Sequence, residues 1–172
     1  TTAAFKLFLV ENKIEQKIAS ILADLNSDNL NDLAAASKVL KSLILDGEMP
    51  ASVVGQIKDA LKTLYKDDTE ISLAIRSSAT TEDLVDASFA GQQESLLNIR
   101  GENETLEAIK HVYASLYNER AISYRVHQGF SHESALLSVG IQQMVRSDLA
   151  QSGVMFTIDT ESGFDQVVFI TS

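Results

Sequence analysis

The first third of the chain repeats its apolar residues at helical intervals. Phe5, Phe8 and Leu9 open the series, Ile14, Ile18, Ile21, Leu22 and Leu25 continue it, and two further groups follow: Leu33, Leu40, Leu43 and Ile44, then Val53, Ile57, Leu61 and Leu64. Spacings of three and four residues set such side chains on one stripe of an α-helix, so residues 3–66 are predicted to be helical. Breaks fall at "NSDNLND", whose Asn and Asp residues offer caps, and at "DGEMPAS", which holds the only proline. From Ile71 the period drops to two. Ile71, Leu73 and Ile75 alternate with Ser72, Ala74 and Arg76, which predicts a strand with one aliphatic face and Arg76 on the other. Leu106, Ile109, Tyr113, Leu116 and Tyr124 restore the helical period and predict a single helix from Glu104 to His127. "LLSVGIQQMV", "GVMFTID" and "DQVVFIT" then read as short strands joined by "RSDLAQS" and "TESG". The result is an α+β chain, helical over residues 1–70 and mixed over 71–172, without βαβ alternation.

Composition narrows the partners. With 172 residues, 45% of them hydrophobic, the chain is long enough for one ordinary core. Its 14 Lys and Arg against 24 Asp and Glu give a formal net charge of −10, the wrong sign for a nucleic-acid partner, although a small anion can still be held locally. There is no cysteine, which excludes disulfides and thiolate metal sites and makes the cytoplasm the default compartment. No apolar run approaches the roughly 20 residues that span a bilayer, so no membrane partner is expected. The opening "TTAAFKLFLVENKI" reads as a helix already under way, with neither an initiating Met nor the order of a signal peptide, and the chain is expected to be a fragment.

Three stretches carry candidate chemistry. In "AIRSSATTEDLVDASFAGQQES", Ser77, Ser78, Thr80, Thr81 and Ser88 are short donors, while Ala79, Ala87, Ala90 and Gly91 leave the backbone uncovered. Such a loop can bring amide N–H groups close to a phosphate, yet the same residues serve equally as turn and helix caps. On the predicted helix 104–127, Arg120 lands inside the apolar arc, where a guanidinium needs either an internal carboxylate or an anionic ligand at a cleft. Arg125 lies off that arc and is expected in solvent. In the strand around residue 140, Val139, Ile141, Gln143 and Val145 face one way and Gly140, Gln142 and Met144 the other, so each face receives a polar side chain. A strand of this kind can run along an adenine ring; it can also be an ordinary strand with Met144 filling the core. His111, His127 and His132 are read as structural or surface residues.

Taken in order, "AIRSSATTEDLVDASFAGQQESLLNI", "HVYASLYNERAISYR" and "IQQMVRSDLAQSGVMFTIDTESGFDQVVFIT" closely resemble the nucleotide-binding domain of the phosphoenolpyruvate synthase family, which is related to the pyruvate phosphate dikinases and rifampin phosphotransferases. The resemblance covers nearly the whole chain and is strongest from Ile71 onward. It implies a partial ATP-grasp fold, in which two α+β lobes hold ATP with Mg2+. In that family ATP phosphorylates a histidine on a swivelling domain, releasing AMP and phosphate, and the phosphoryl group passes to pyruvate in a barrel domain. By the same resemblance Arg76 and Arg120 would contact the polyphosphate as catalytic residues. Ser77, Ser78, Thr80, Gly91 and Gln92 would close over it, and Gln142, Gln143, Met144 and Val145 would form the adenine-facing hinge. The family's ATP-contacting lysine, in a G-G-K-N segment, and its acidic magnesium ligands are expected outside this chain, so no metal ligand is assigned within it. None of the three histidines has the T-S-H setting of the phosphohistidine. The implied role is the ATP-binding part of a larger enzyme, inactive alone, with the swivelling domain and the barrel as partners on the same polypeptide. A rifampin-type phosphotransferase or a non-catalytic nucleotide-binding module remains an alternative at this point.

Overall fold

In the computed structural model, which describes residues 1–26, 29–65, 71–79, 83–84, 87–88, 94–131 and 135–171, the apolar stripes of the first third become four helices. They are α1 (Thr2–Glu11), α2 (Glu15–Ala23), α3 (Leu30–Leu45) and α4 (Ala51–Tyr65), and each buries residues that the spacing selects: Phe5 and Phe8, Ile18 and Leu22, Leu33 and Leu40, Val53 and Leu61. The caps lie where the sequence offers them. Asn29 starts α3 by accepting the amides of Asn31 and Asp32 at 3.0 and 3.4 Å, which satisfies donors that have no partner in a helix's first turn. The Pro50 carbonyl takes the amides of Val53 and Val54, both at 2.9 Å, at the head of α4. The break between α1 and α2 has no counterpart in the periodicity. It follows from Lys13 at φ 55 and from Asn12, whose side-chain amide donates to the Phe8 and Glu48 carbonyls at 2.8 and 2.9 Å while its oxygen accepts the Glu48 amide at 2.9 Å. These bonds tie the end of α1 to the α3–α4 connection. There Gly47 lies against the Phe8 ring so closely that a Cβ would stand 2.6 Å from a ring carbon.

The helix expected over 104–127 is two helices, α5 (Gly101–Ser115) and α6 (Glu119–His127). Between them the amides of Leu116, Tyr117 and Asn118 reach back three residues, to Tyr113, Ala114 and Ser115, and Asn118 leaves helical geometry at φ −62, ψ 147. The buried Ser37 hydroxyl donates to the Tyr117 carbonyl at 2.8 Å, so α3 holds the turn in place. A constant 100° per residue applies only along an unbroken helix, and the turn resets the phase. On α6 the buried residues are Ala121, Ile122 and Arg125, whereas Arg120 is exposed; both arginines lie opposite to expectation.

Among the described residues the strands form three small antiparallel sheets. β1 (Leu73–Ala79) lies between β4 (Ser95–Ile99) and β5 (Leu137–Gln143), β2 (Asp83–Leu84) pairs with β3 (Ala87–Ser88), and β6 (Val154–Phe156) pairs with β7 (Phe169–Thr171). β5, β6 and β7 fall inside the three predicted segments; β4 was not foreseen. Helices α1 and α5 cover one face of the three-stranded sheet, and α3 packs behind α5. The core gathers Leu73, Ile75 and Leu137 from the sheet against Phe5, Phe8, Val112 and Tyr113, with Phe5 and Tyr113 ring centroids 4.7 Å apart. Across the helical layer, the Lys110 ammonium donates to the Leu45 carbonyl at 3.0 Å and Lys58 meets Glu102 at 2.7 Å. Among the described residues no helix is long and apolar enough to cross a membrane.

Candidate functional site

The face of the β4–β1–β5 sheet turned away from the helices carries polar residues in register. Along β1, Leu73 and Ile75 enter the core while Arg76 and Ser78 are exposed, as the alternation predicts. Antiparallel pairing sets Gly140 of β5 and Ser95 of β4 opposite Arg76, Ser138 opposite Ser78, and Gln142 opposite Ala74. Arg76 therefore stands between a serine and a glycine. A Cβ at Gly140 would meet only the Arg76 carbonyl oxygen at 3.8 Å, so packing does not demand the glycine, and its effect is to leave the sheet bare beside the guanidinium. Among the described residues no carboxylate pairs with Arg76. A cation, three hydroxyls and an amide sharing one face of a sheet can hold an anionic ligand.

The far end of this face is shaped by a bulge. Leu73 pairs with Ile99 and Ile75 with Leu96, so β4 carries one residue more than β1, and Asn98 absorbs it at φ 61. The Asn98 amide points to the Met144 sulfur at 3.1 Å, and the Met144 amide donates to the Ser72 carbonyl at 2.9 Å. Met144 is thereby held just beyond β5 by Asn98 of β4 and by Ser72, the residue ahead of β1. Val145 follows with 84% of its surface exposed, an apolar side chain in the open beside a polar face.

A family model described as the pyruvate phosphate dikinase AMP/ATP-binding domain matches residues 1–172. The chain belongs to that family. It is similar to phosphoenolpyruvate synthase of Escherichia coli (strain K12), 53% identical over the whole chain, and to that of Neisseria meningitidis serogroup B, 52% identical. Phosphoenolpyruvate synthase of Aquifex aeolicus is 47% identical over the whole chain. The chain spans 20–22% of the length of these relatives.

Within this AMP/ATP-binding domain the resemblance-derived residues divide between locations. Arg76, Ser78 and Gln142 share the open face, with Met144 and Val145 at its end. Ser77 and Gln143 alternate to the other side of their strands, opposite Val139 and Leu73. Thr80, Gly91 and Gln92, like Thr81 and His132, lie outside the described residues. Arg120 belongs to the helical layer, where it lines a cavity of about 530 Å³ with Leu30, Leu33, Glu119, Ser123, Tyr124 and His127, a lining that does not include Arg76. Ser95 and Ser138 are the face residues that sequence reasoning missed. The alternation at Val139 and Ile141 could have revealed Ser138, but nothing local announces β4.

Arg125, expected in solvent, is the buried arginine, with 1% of its surface exposed. Burial lowers its pKa to about 10, opposed by the nearby Tyr117 phenol. Tyr117 is pushed up to about 12 by its own burial, with Arg125 acting against the rise and Glu15 adding to it. At neutral pH the pair is a guanidinium beside a neutral phenol. His111 and His127 are exposed, and His127 Nδ1 contacts the Ser123 carbonyl at 2.8 Å. Among the described residues no three His, Asp or Glu side chains come together as a metal site.

Proposed function

We propose that the open face of the β4–β1–β5 sheet binds ATP, and that the chain is the ATP-binding part of a phosphoenolpyruvate synthase with an ATP-grasp architecture. The observation that carries this reading is Arg76, uncovered and flanked in register by Ser95 and Gly140. The three steps from Gly140 to Gln143 span about 10 Å of strand, room for a ribose between phosphates at Arg76 and a base at the Gln142–Val145 end. A fixed guanidinium there would orient the polyphosphate and offset charge that develops on a transferring phosphoryl group. In the longer polypeptide the acceptor would be a histidine on a separate swivelling domain, with AMP and phosphate released and pyruvate receiving the phosphoryl group in a barrel domain. Both domains and ATP are the proposed partners, Mg2+ the accompanying ion, and the cytoplasm, in keeping with a cysteine-free sequence, the compartment.

Nucleotide titration of the longer enzyme tests the reading. Arg76→Ala should weaken ATP binding and slow ATP-dependent histidine phosphorylation at least tenfold, about 1.4 kcal/mol. Arg120→Ala, in the helical layer, should lose less. Equal losses at the two positions would restore Arg120 to the phosphate site, and unchanged affinity in Arg76→Ala would overturn the assignment.

A further inference from the structure

Ser72 stands opposite Met144, one step past the paired ends of β1 and β5, because the register that sets Leu73 against Gln143 continues and the Met144 amide donates to the Ser72 carbonyl at 2.9 Å. Alternation then places both side chains on the polar face, in line with Ala74 and Gln142 and with Arg76 and Gly140. A second guanidinium reaches this end. Ile99 packs against the core, and Arg100, next in the chain and extended at φ −133, ψ 143, turns to the other side, where its Nε donates to the Ser72 hydroxyl at 3.1 Å. The Arg100 amide donates to the Glu104 carboxylate at 2.7 Å, at the head of α5. Arg100 is exposed, yet both its backbone and its side chain are directed.

We infer that Arg100 is a base-binding residue of the nucleotide site: its guanidinium plane stacks on the purine ring, Met144 and Val145 supply apolar contact, and Ser72 orients the plane. The inference rests on the reading that the nucleotide lies along this face with its phosphates at Arg76. Position favours the base over the phosphates. Four strand steps separate Ser72 from Arg76, about 13 Å, which a nucleoside triphosphate covers between its polyphosphate and its base. The neighbours agree, since the Met144 thioether and the exposed Val145 side chain offer nothing to an anion but suit the face of a ring. A guanidinium stacks on a π surface as an ammonium does not, and the Nε bond to Ser72 holds it in one plane.

Titration of the longer enzyme with ATP and with AMP tests it, AMP keeping the base and lacking the two outer phosphates. Arg100→Ala should weaken both ligands by the same factor, about five- to tenfold, with the thermal midpoint unchanged. Arg100→Lys keeps the charge and loses the plane, and should weaken them as much. Ser72→Ala, which frees the plane, should weaken both about threefold. Arg76→Ala should weaken ATP far more than AMP. A larger loss for ATP than for AMP in Arg100→Ala would put this guanidinium on the polyphosphate and overturn the inference. So would full affinity in Arg100→Ala or Arg100→Lys, or a loss that tracks a lowered thermal midpoint. Those outcomes leave the phosphate site at Arg76 standing, whereas unchanged ATP affinity in Arg76→Ala removes that site whatever Arg100 does.

Discussion

Asn98 sits at φ 61, in the left-handed region that side chains with a branched Cβ scarcely enter. Because this residue absorbs the bulge that meets Met144, its backbone preference shapes the end of the candidate face. Asn98→Gly should keep stability within about 0.5 kcal/mol, while Asn98→Val should lose about 1–2 kcal/mol in urea denaturation. Equal stability of the two variants would show that the bulge carries no strain. Gly47 is constrained from outside, by the Phe8 ring 2.6 Å from a would-be Cβ. Phe8 is fully buried and has nowhere to withdraw, so Gly47→Ala should cost about 1–3 kcal/mol, and an unchanged urea midpoint would mean that the ring can turn away. Arg76 was legible because alternation on a strand needs no partner to be read. Gly47 was not, since its constraint comes from a helix nearly forty positions away in the chain.

At the scale of elements, the turn between α5 and α6 decides which arginine is buried. The stretch from Tyr113 to Arg120 has neither glycine nor proline, and its signal is Asn118 before Glu119, a weak N-cap inside a long helical period. The Ser37 bond to the Tyr117 carbonyl, from a different helix, stabilises the break. Arg125→Ala should therefore cost about 3 kcal/mol, by opening space in the core and stranding what the guanidinium meets. Arg120→Ala should stay within about 0.5 kcal/mol, as an exposed helical position does. Thermal denaturation of the two variants in parallel checks the order, and a larger loss at Arg120 would reverse it. β4 was illegible for a related reason: "SLLNI" is too short and too mixed to register as a strand without its partner β1.

For the whole molecule, burial of ionisable groups sets the alkaline limit. Tyr113 and Tyr117 are both raised from 10.0 to about 12 by desolvation, so between those values the folded chain keeps two protons that the unfolded chain has released, and stability falls as pH rises. Arg125 acts in the opposite sense. Its folded pKa is lowered from 12.5 to about 10, the unfolded state holds that proton longer, and stability rises over the same window. Two protons against one leave a net loss of roughly 1.4 kcal/mol per pH unit. Tyr113→Phe should cancel the slope, leaving one tyrosine against one arginine. Urea midpoints measured across this window check the balance; a slope as steep in Tyr113→Phe as in the parent chain would refute it.

By itself the sequence determined the helical first third, the change of period at Ile71, the three later strands and the exposed position of Arg76. Each is a local pattern, because side-chain direction along an unbroken helix or strand follows from spacing alone. The long motifs also carried the family, since they are specific without any knowledge of contacts. Only the tertiary structure decided that Arg125 and not Arg120 is buried, that Ser95 and Gly140 flank Arg76, and that Asn98 bends β4 toward Met144. Those outcomes depend on pairing register and on a bond between Ser37 and Tyr117, eighty residues apart, and no periodicity along one segment encodes which distant segment it will meet.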